Sequence, residues 1–268
     1  ANIIMNNPFK DFDGTLRIVN WLSKRYFDRK IIWICLGSKG PTTEIGNATA
    51  VFLPYEERGG KIKIATLYRA ADMVLHLARA DTFPSVVLEA LNCGCPVAST
   101  TVGGIPEQVN NLFPVTDGSQ AVYSENEATG ILVKPGDDKE LVNQLIHLLN
   151  SPDLIQKLGN NAAIDGNRRF NIDCIVQEYL RWFSSILDGK SRIGKTQIRP
   201  QTEETINPFL PDTMPTQINP SKKTVSQANK FLRSKGVDAK YMSELSRSSK
   251  FSINNTRRNP PVILMYHR

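Results

Sequence analysis

The sequence of 268 residues has little cysteine and no apolar run near the roughly 18 residues needed to cross a bilayer. Four cysteines are too few for a disulfide scaffold, and they lie in apolar runs, which favours reduced, buried thiols in a cytoplasmic protein. No signal peptide opens the chain, and because it starts at Ala1 rather than Met we expect further residues upstream. The 40% apolar and 22% charged residues exclude collagen-like, wholly disordered and coiled-coil proteins.

Basic charge is concentrated at one end of the chain. The net charge is +7, but residues 190–268 hold 15 Lys and Arg against 5 Asp and Glu, a balance of +10, which leaves −3 for residues 1–189. The basic character therefore belongs to the tail and does not indicate nucleic-acid binding by the whole chain. The tail lacks the interleaved aromatics that bind single strands, so we expect no nucleic-acid partner, whereas peripheral contact with acidic membrane lipids stays open.

Short apolar runs alternate with helix-like periodicity through residues 1–189. Such alternation predicts an α/β fold, a doubly wound parallel sheet covered by helices on both faces. The predicted strands are 3–5, 31–36, 50–53, 73–77, 96–99 and 131–133. The predicted helices are 16–26, 62–70, 84–93, 106–110, 139–149, 152–168 and 173–187.

The composition changes after Gly189. Residues 190–259 combine several prolines with Thr, Gln, Asn and Lys and have few apolar residues, which predicts a basic, largely disordered linker. Residues 260–268 are typical of a buried strand, and we expect them to be the first strand of a truncated following domain. The predicted organisation is thus an α/β domain at 1–189, a linker at 190–259 and this strand at 260–268.

Residues 72–97 have the pattern of strand, loop, helix, glycine turn and strand. Pro84 suits the first helical position, and Phe83 before it has no side chain that caps a helix. The open N–H groups of that helix attract an anion or water. The pair Gly103-Gly104 repeats the arrangement after the next strand, so a phosphate-bearing ligand is expected at the carboxyl ends of the strands. Spacing alone leaves it equally open that the glycines only make turns and that Glu89 is a solvated helix residue.

Five motifs follow one another at fixed spacing in this region. They are Ala71-Asp72 with Asp81, Glu89-Ala90, Cys93-Gly94-Cys95-Pro96-Val97, Gly103-Gly104-Ile105-Pro106-Glu107 and the segment Thr-Gly-Ile-Leu-Val-Lys-Pro-Gly-Asp at 129–137. In these motifs the chain resembles the "group 1" family of retaining glycosyltransferases with the GT-B architecture, over about residues 1–187. The resemblance implies that residues 1–189 are the Rossmann-like, donor-binding half of such an enzyme, followed by a disordered C-terminal extension.

The resemblance also implies a reaction: transfer of a sugar from a nucleotide-diphosphate-sugar donor with retention at the anomeric carbon. It assigns the candidate catalytic residues, with Asp81 on donor-sugar hydroxyls and Glu89 on the ribose. A carboxylate suits both roles because it accepts two hydroxyl hydrogen bonds. The candidate donor-binding residues are Lys10, Arg79, Phe83, Pro84, Ser85, Gly103 and Gly104. Neither a metal nor a cofactor is expected besides the donor. Catalysis would be mostly stabilisation of charge on the leaving diphosphate, because the donor is already activated.

Two positions depart from the family's pattern. Asp81 stands where the family usually has the longer Glu, a change that alters or weakens the choice of donor. Asp13 occupies the place of a Lys that neutralises the diphosphate, so either Lys10 or Arg79 substitutes for it or phosphate binding is impaired. The departures favour an alternative: a non-catalytic, degenerate sugar-nucleotide-binding module.

The family resemblance implies partners beyond the donor. A GT-B enzyme has an amino-terminal half that binds its acceptor, here expected to be a glycan or a lipid-linked molecule. Because 268 residues leave no room for that half, we expect donor binding and negligible transfer from this chain. Residues 262–268 resemble the opening strand of polysaccharide deacetylases, although any buried strand is an equal alternative; the former would join the transferase to an esterase.

Two further groups of residues are expected to be structural. Cys93-Gly94-Cys95 has no second cysteine pair and no His at ligand spacing, so buried thiols are favoured over a metal or redox site. His76 lies within a predicted strand and is expected to be a packed core residue.

Overall fold

The structure, a computed structural model, describes residues 9–26, 30–37, 40–54, 60–187 and 262–266. The predicted strand at 3–5 and the predicted linker at 190–259 lie outside the described residues. The helices are α1 (Phe12–Arg25), α2 (Gly60–Ala70), α3 (Ser85–Asn92), α4 (Ile105–Gln108), α5 (Asp138–Leu149), α6 (Pro152–Arg169) and α7 (Ile172–Leu187). The strands are β1 (Ile31–Leu36), β2 (Thr43–Ile45), β3 (Ala48–Leu53), β4 (Met73–His76), β5 (Val97–Thr100), β6 (Gly130–Val133) and β7 (Val262–Tyr266).

The strands form one sheet in the order β2-β3-β1-β7-β4-β5-β6. The pairs are parallel except β2 with β3, which is antiparallel. Side chains of β1 alternate between two hydrophobic clusters, with Trp33 in one and Ile34 in the other. A parallel strand buried on both faces must be apolar throughout, which explains the unbroken run of β1. The predicted α/β class with a parallel sheet is confirmed.

Helices cover both faces of the sheet. Leu22 of α1 and Leu145 of α5 pack in the cluster on one face. Tyr68 of α2 and Leu91 of α3 pack in the cluster on the other face. Because β4 and β5 are parallel, the loops that follow them lie at the same, carboxyl edge of the sheet. Open α/β folds bind their ligands at this edge.

Three local predictions need correction. Helix α3 begins at Ser85, because Pro84 has extended backbone angles (φ −64°, ψ 121°) and is the N-cap instead of the first helical residue. Helix α4 is a single turn that ends at Gln108, because Val109 is extended (φ −111°, ψ 119°). Strand β2 was not predicted, because its Thr-Glu-Ile sequence is mostly exposed and has no apolar run.

Strand β7 lies in the middle of the sheet. It pairs with β1 from Ile32–Val262 to Leu36–Tyr266, and with β4 at Met73–Ile263 and Val74–Leu264. This placement differs from the expected strand of a following domain. The physical reason is that β1 and β4 both present a row of backbone N–H and C=O groups, and a strand between them satisfies both rows.

Helix α7 carries an apolar face that is open to solvent. Val176, Leu180 and Phe183 recur at helical spacing, and each is between 44% and 52% exposed. Trp182 and Ile186 add to this surface. None of the described helices combines the length and the apolar character that crossing a membrane requires.

Candidate functional site

The site is built where three segments meet beside the end of β4. Lys10 forms a backbone bridge with Ala78, just after β4. The amide of Arg79 donates to the carbonyl oxygen of Phe9 at 2.9 Å, and the amide of Asp11 donates to the carbonyl oxygen of Leu77 at 3.2 Å. These backbone contacts bring the segment before α1 against the loop that carries the predicted acidic residue.

The Asp81 carboxylate has two basic neighbours. Lys10 Nζ forms an ion pair with Asp81 Oδ2, and His76 Nε2 lies 3.4 Å from the same oxygen. The hydrogen bond from His76 and the ion pair with Lys10 lower the pKa of Asp81 to about 2, although burial works in the opposite direction. Asp81 is 14% exposed and therefore keeps its charge at neutral pH in a largely enclosed position.

His76 is the neighbour that the sequence analysis did not assign to the site. Its side chain is 1% exposed, so the expectation of a buried histidine is confirmed. Burial lowers the pKa of His76, which makes the imidazole neutral at pH 7 and able to donate one hydrogen bond. The available signal was its position at the carboxyl end of β4, five residues before Asp81.

The second candidate cation, Arg79, is engaged elsewhere. Its Nη2 lies 3.0 Å from Asp11 Oδ1, and its side chain is 60% exposed. Asp11 also accepts a hydrogen bond from the amide of Gly14 and so caps α1. Asp13 lies exposed in the first turn of the same helix. The start of α1 is therefore acidic and repels an anion.

Helix α3 offers the opposite electrostatic character at its start. Its N-cap, Pro84, makes no side-chain capping hydrogen bond, and Ser85 is exposed. Glu89 lies one turn along on the same face as Ser85, and its Oε2 accepts a hydrogen bond of 3.4 Å from the Tyr68 hydroxyl. The helix thus presents uncapped N–H donors, a hydroxyl and a half-buried carboxylate on one side.

The two glycines after β5 press against the backbone of the acidic loop. A Cβ atom on Gly103 would lie 1.7 Å from the carbonyl oxygen of Asp81, and Gly103 has a positive φ of +52°. A Cβ on Gly104 would lie 2.5 Å from Phe83 Cδ2, and the Gly104 amide donates to the carbonyl oxygen of Thr82 at 2.7 Å. No side chain fits at either position, so the glycines are required for this contact.

The cysteines behave as packed thiols. Cys35 and Cys95 are buried, whereas Cys93 and Cys174 are partly exposed. Burial raises the pKa values of Cys35 and Cys95 well above the usual range, which suppresses thiolate chemistry. Among the described residues, no group of three His, Cys, Asp or Glu side chains could hold a metal ion.

The structure therefore brings together most of the predicted site. Lys10 contacts Asp81, the glycines contact the Asp81–Phe83 backbone, and Ser85 and Glu89 share one face of α3. Arg79 is held by Asp11 at the margin. The carboxylates can accept hydrogen bonds from hydroxyl groups, and the uncapped start of α3 beside them can bind an anion. Together the two features suit a phosphorylated sugar compound.

Comparisons with known proteins point to the same region. Residues 59–165 match the family model described as glycosyl transferases group 1. The N-acetyl-alpha-D-glucosaminyl L-malate synthase of Bacillus anthracis is 30% identical over 129 residues, which are 48% of this chain and 30% of that protein. The D-inositol 3-phosphate glycosyltransferase of Gordonia bronchialis is 27% identical over 174 residues, which are 62% of this chain and 34% of that protein.

The chain spans about a third of the length of these two relatives. Among solved structures, Anabaena HepE in complex with UDP and glucose is 18% identical, with a TM-score of 0.46, and the match covers 67% of this chain and 46% of that chain. The sucrose-phosphate synthase of Thermosynechococcus elongatus is also 18% identical, with a TM-score of 0.43, and the match covers 68% and 50% of the two chains.

Proposed function

We propose that this chain, whose residues 59–165 match the family model of the group 1 glycosyl transferases, is the donor-binding part of such an enzyme, which binds a nucleotide-diphosphate sugar and supplies the sugar for transfer with retention. The observation that carries the proposal is the packing of Gly103-Gly104 against the backbone of Asp81, next to the uncapped start of α3. This packing joins the carboxylate loop and the anion-binding helix end into one surface. The carboxylates then match the hydroxyl groups of a nucleotide-diphosphate sugar, and the start of α3 matches its diphosphate.

The donor is proposed to lie along α3. The diphosphate meets the backbone at Phe83, Pro84 and Ser85, where Phe83 and Ser85 each have an N–H group to donate, and the helix dipole favours its charge. Asp81 accepts hydrogen bonds from hydroxyls of the transferred sugar, and Glu89 accepts them from the ribose. Because the donor is already activated, the main catalytic contribution is stabilisation of charge on the departing diphosphate.

The Lys10–Asp81 ion pair has two consequences for this site. It keeps the Asp81 carboxylate charged and in place, which favours binding of hydroxyl groups. It also reduces the positive charge that Lys10 offers to a diphosphate. The α3 start is therefore proposed to supply most of the phosphate binding, with Lys10 in a secondary role.

The acceptor is proposed to bind with the help of a second domain. The relatives' names specify small hydroxyl-bearing molecules, L-malate and inositol phosphate, whereas the family resemblance favours a glycan or a lipid-linked acceptor. The exposed apolar face of α7, with Val176, Leu180 and Phe183, suits packing against an amino-terminal, acceptor-binding domain.

A second candidate function is a sugar-nucleotide-binding module without catalysis. The observation that favours it is the acidic start of α1, where Asp13 lies exposed and Asp11 holds Arg79. These carboxylates occupy the position at which the resemblance implies positive charge toward the diphosphate. Such a module binds the donor but does not release a nucleoside diphosphate from it.

Calorimetric titration of the 268-residue chain with UDP, GDP, ADP and their common sugar conjugates tests the proposal. One nucleotide should bind with a Kd between about micromolar and low millimolar, and Glu89→Ala should weaken that binding at least about tenfold. Glu125→Ala is the control, because Glu125 is an exposed residue whose carboxylate pairs with Lys157. Absence of binding by every nucleotide, or equal binding by the Glu89 variant, contradicts the proposed donor site.

Turnover separates the two candidate functions. Because the chain by itself is expected to transfer negligibly, the donor that binds is incubated with the chain joined to an amino-terminal, acceptor-binding domain of a group 1 glycosyltransferase and with the acceptor of that enzyme. The released nucleoside diphosphate is measured against a Glu89→Ala sample. Release that depends on Glu89 supports the transferase, whereas binding without any release supports the module.

A further inference from the structure

Arg169, the last residue of α6, makes an unusual number of contacts for a residue outside the site. Its Nε lies 2.9 Å from both carboxylate oxygens of Asp165, one turn earlier on the same helix. Its Nη1 donates to the carbonyl oxygen of Glu107 at 2.6 Å, and its Nη2 donates to the carbonyl oxygen of Gln108 at 2.9 Å. The planar guanidinium thus bridges α6 and the end of α4.

The end of α4 is where such a cation is stabilising. Helix α4 is one turn long, so the carbonyl groups of Glu107 and Gln108 have no partner further along the helix. Their partial negative charge is matched by the guanidinium, and Asp165 holds the guanidinium in place from the other side. Arg169 therefore fixes the position of α4 relative to α6.

Helix α4 in turn holds the loop that carries the donor contacts. The Gln108 side chain is buried, and its Nε2 donates to the carbonyl oxygen of Pro84 at 3.1 Å. At the other end of the same segment, Gly104 donates its amide to Thr82. The segment 103–108 thereby contacts the backbone on both sides of Phe83, directly before α3.

An aromatic contact reinforces this connection. The Phe83 ring lies 6.1 Å from the Phe170 ring, centroid to centroid, in an edge-to-face arrangement. The guanidinium carbon of Arg169 lies 4.5 Å from the centroid of the Phe170 ring. Arg169 and its neighbour Phe170 thus reach the acidic loop by two routes, one through α4 and one through Phe83.

We propose that Arg169 is a positioning residue of the donor site, which acts through α4 to hold the backbone of Asp81–Pro84 where the donor binds. This inference rests on the proposed function. The hydrogen bonds of Arg169 go to Asp165 and to carbonyl groups of α4, so Arg169 acts on the donor through other residues. A lysine cannot replace it, because a single ammonium does not reproduce the planar fork that reaches two carbonyls and a carboxylate.

The test measures the Kd of the chain for the nucleoside diphosphate found in the titration above, with three variants. Arg169→Ala should bind the nucleoside diphosphate about tenfold more weakly. Without the guanidinium, α4 no longer holds the Asp81–Pro84 backbone in the position in which it contacts the donor. Arg169→Lys retains the charge and should bind between the Ala variant and the unchanged protein. Arg168→Ala is the matched control, because Arg168 pairs with the same Asp165 but is 60% exposed, and it should bind normally.

Chemical rescue separates positioning from general destabilisation. Guanidinium chloride at about 20 mM, far below concentrations that unfold proteins, should restore at least a third of the lost affinity of Arg169→Ala and leave Arg169→Lys unchanged. Unchanged affinity in both Arg169 variants, or an equal loss in Arg168→Ala, overturns the inference. If the Ala variant fails to fold, Arg169→Lys alone decides the matter through its Kd. If the unchanged protein binds no nucleotide, the proposed function fails instead.

Discussion

Replacing Lys10 by Met removes the cation of the Lys10–Asp81 ion pair and retains a side chain of similar length. The remaining Asp81 carboxylate keeps its contact with His76 but loses its charged partner. We therefore expect the pKa of Asp81 to rise from about 2 toward its ordinary value of 3.8, and the folded state to lose stability at neutral pH.

The size of this loss follows from the pKa. The full change from 3.8 to about 2 is worth at most about 2.4 kcal/mol at roughly 1.4 kcal/mol per pKa unit. The hydrogen bond from His76 is the largest single cause of the change, and solvent screens a carboxylate that is not fully buried. The share of Lys10 is therefore about 1 kcal/mol.

The sign of the pH dependence distinguishes this ion pair from other effects. Because the pKa of Asp81 is lower in the folded state, its stabilisation is fully present well above pH 3.8 and is lost as the pH falls through about 2. The difference in unfolding free energy between the unchanged protein and Lys10→Met should be constant above about pH 5, fall to about a third of that size near pH 2, and vanish only below it. Urea unfolding at several pH values measures it.

A surface ion pair provides the control. Lys30 Nζ lies 3.0 Å from Glu44, whose side chain is 51% exposed, and Lys30→Met should cost less than about 0.5 kcal/mol. A Lys10→Met variant that is as stable as the unchanged protein at pH 7, or whose deficit at pH 2 is as large as at pH 7, refutes the reasoning about Asp81.

Three further predictions concern the glycine loop, the thiols and the last strand. Gly103→Ala should lower the unfolding free energy by at least about 2 kcal/mol more than Gly118→Ala, because both residues have positive φ but only Gly103 has a backbone atom in the way; equal losses in urea unfolding would contradict this. Cys35 and Cys95 should react with a thiol reagent only after unfolding, since both are buried with raised pKa values, and rapid labelling of either in the native state would show the packing to be wrong. Removing residues 260–268 should cost about 3 kcal/mol of stability if β7 completes the sheet, whereas unchanged stability would favour a strand that belongs to a separate domain.

Segments with a clear local pattern were predicted best from the sequence. Strand β1 was predicted with its observed bounds, because its six consecutive apolar residues are all buried in the sheet. The position of β7 was not predictable in the same way. An apolar run indicates that Val262–Tyr266 is a strand, but its neighbours in the sheet are set by long-range pairing with β1 and β4.

The candidate site divides along the same line. The family resemblance singled out Asp81 and Glu89, the pattern of strand, glycine pair and helix singled out Gly103 and Gly104, and the structure brings these glycines against the Asp81 loop. The sequence did not indicate that Arg79 pairs with Asp11, because that contact depends on how the segment before α1 packs beside β4. The contacts of Arg169 with α4 were hidden for a related reason: they go to backbone carbonyls, which carry no residue-specific signal.

Mapping the nucleotide on the protein tests the central claim most directly. The backbone amides of the isotopically labelled 268-residue chain are followed by NMR as the nucleoside diphosphate that binds is added. The account predicts the largest shift changes at Thr82, Ser85 and Gly104, with little change in β2, which forms one edge of the sheet. Changes confined to other surfaces, or none at saturating nucleotide, would contradict a donor site between the acidic loop and the start of α3.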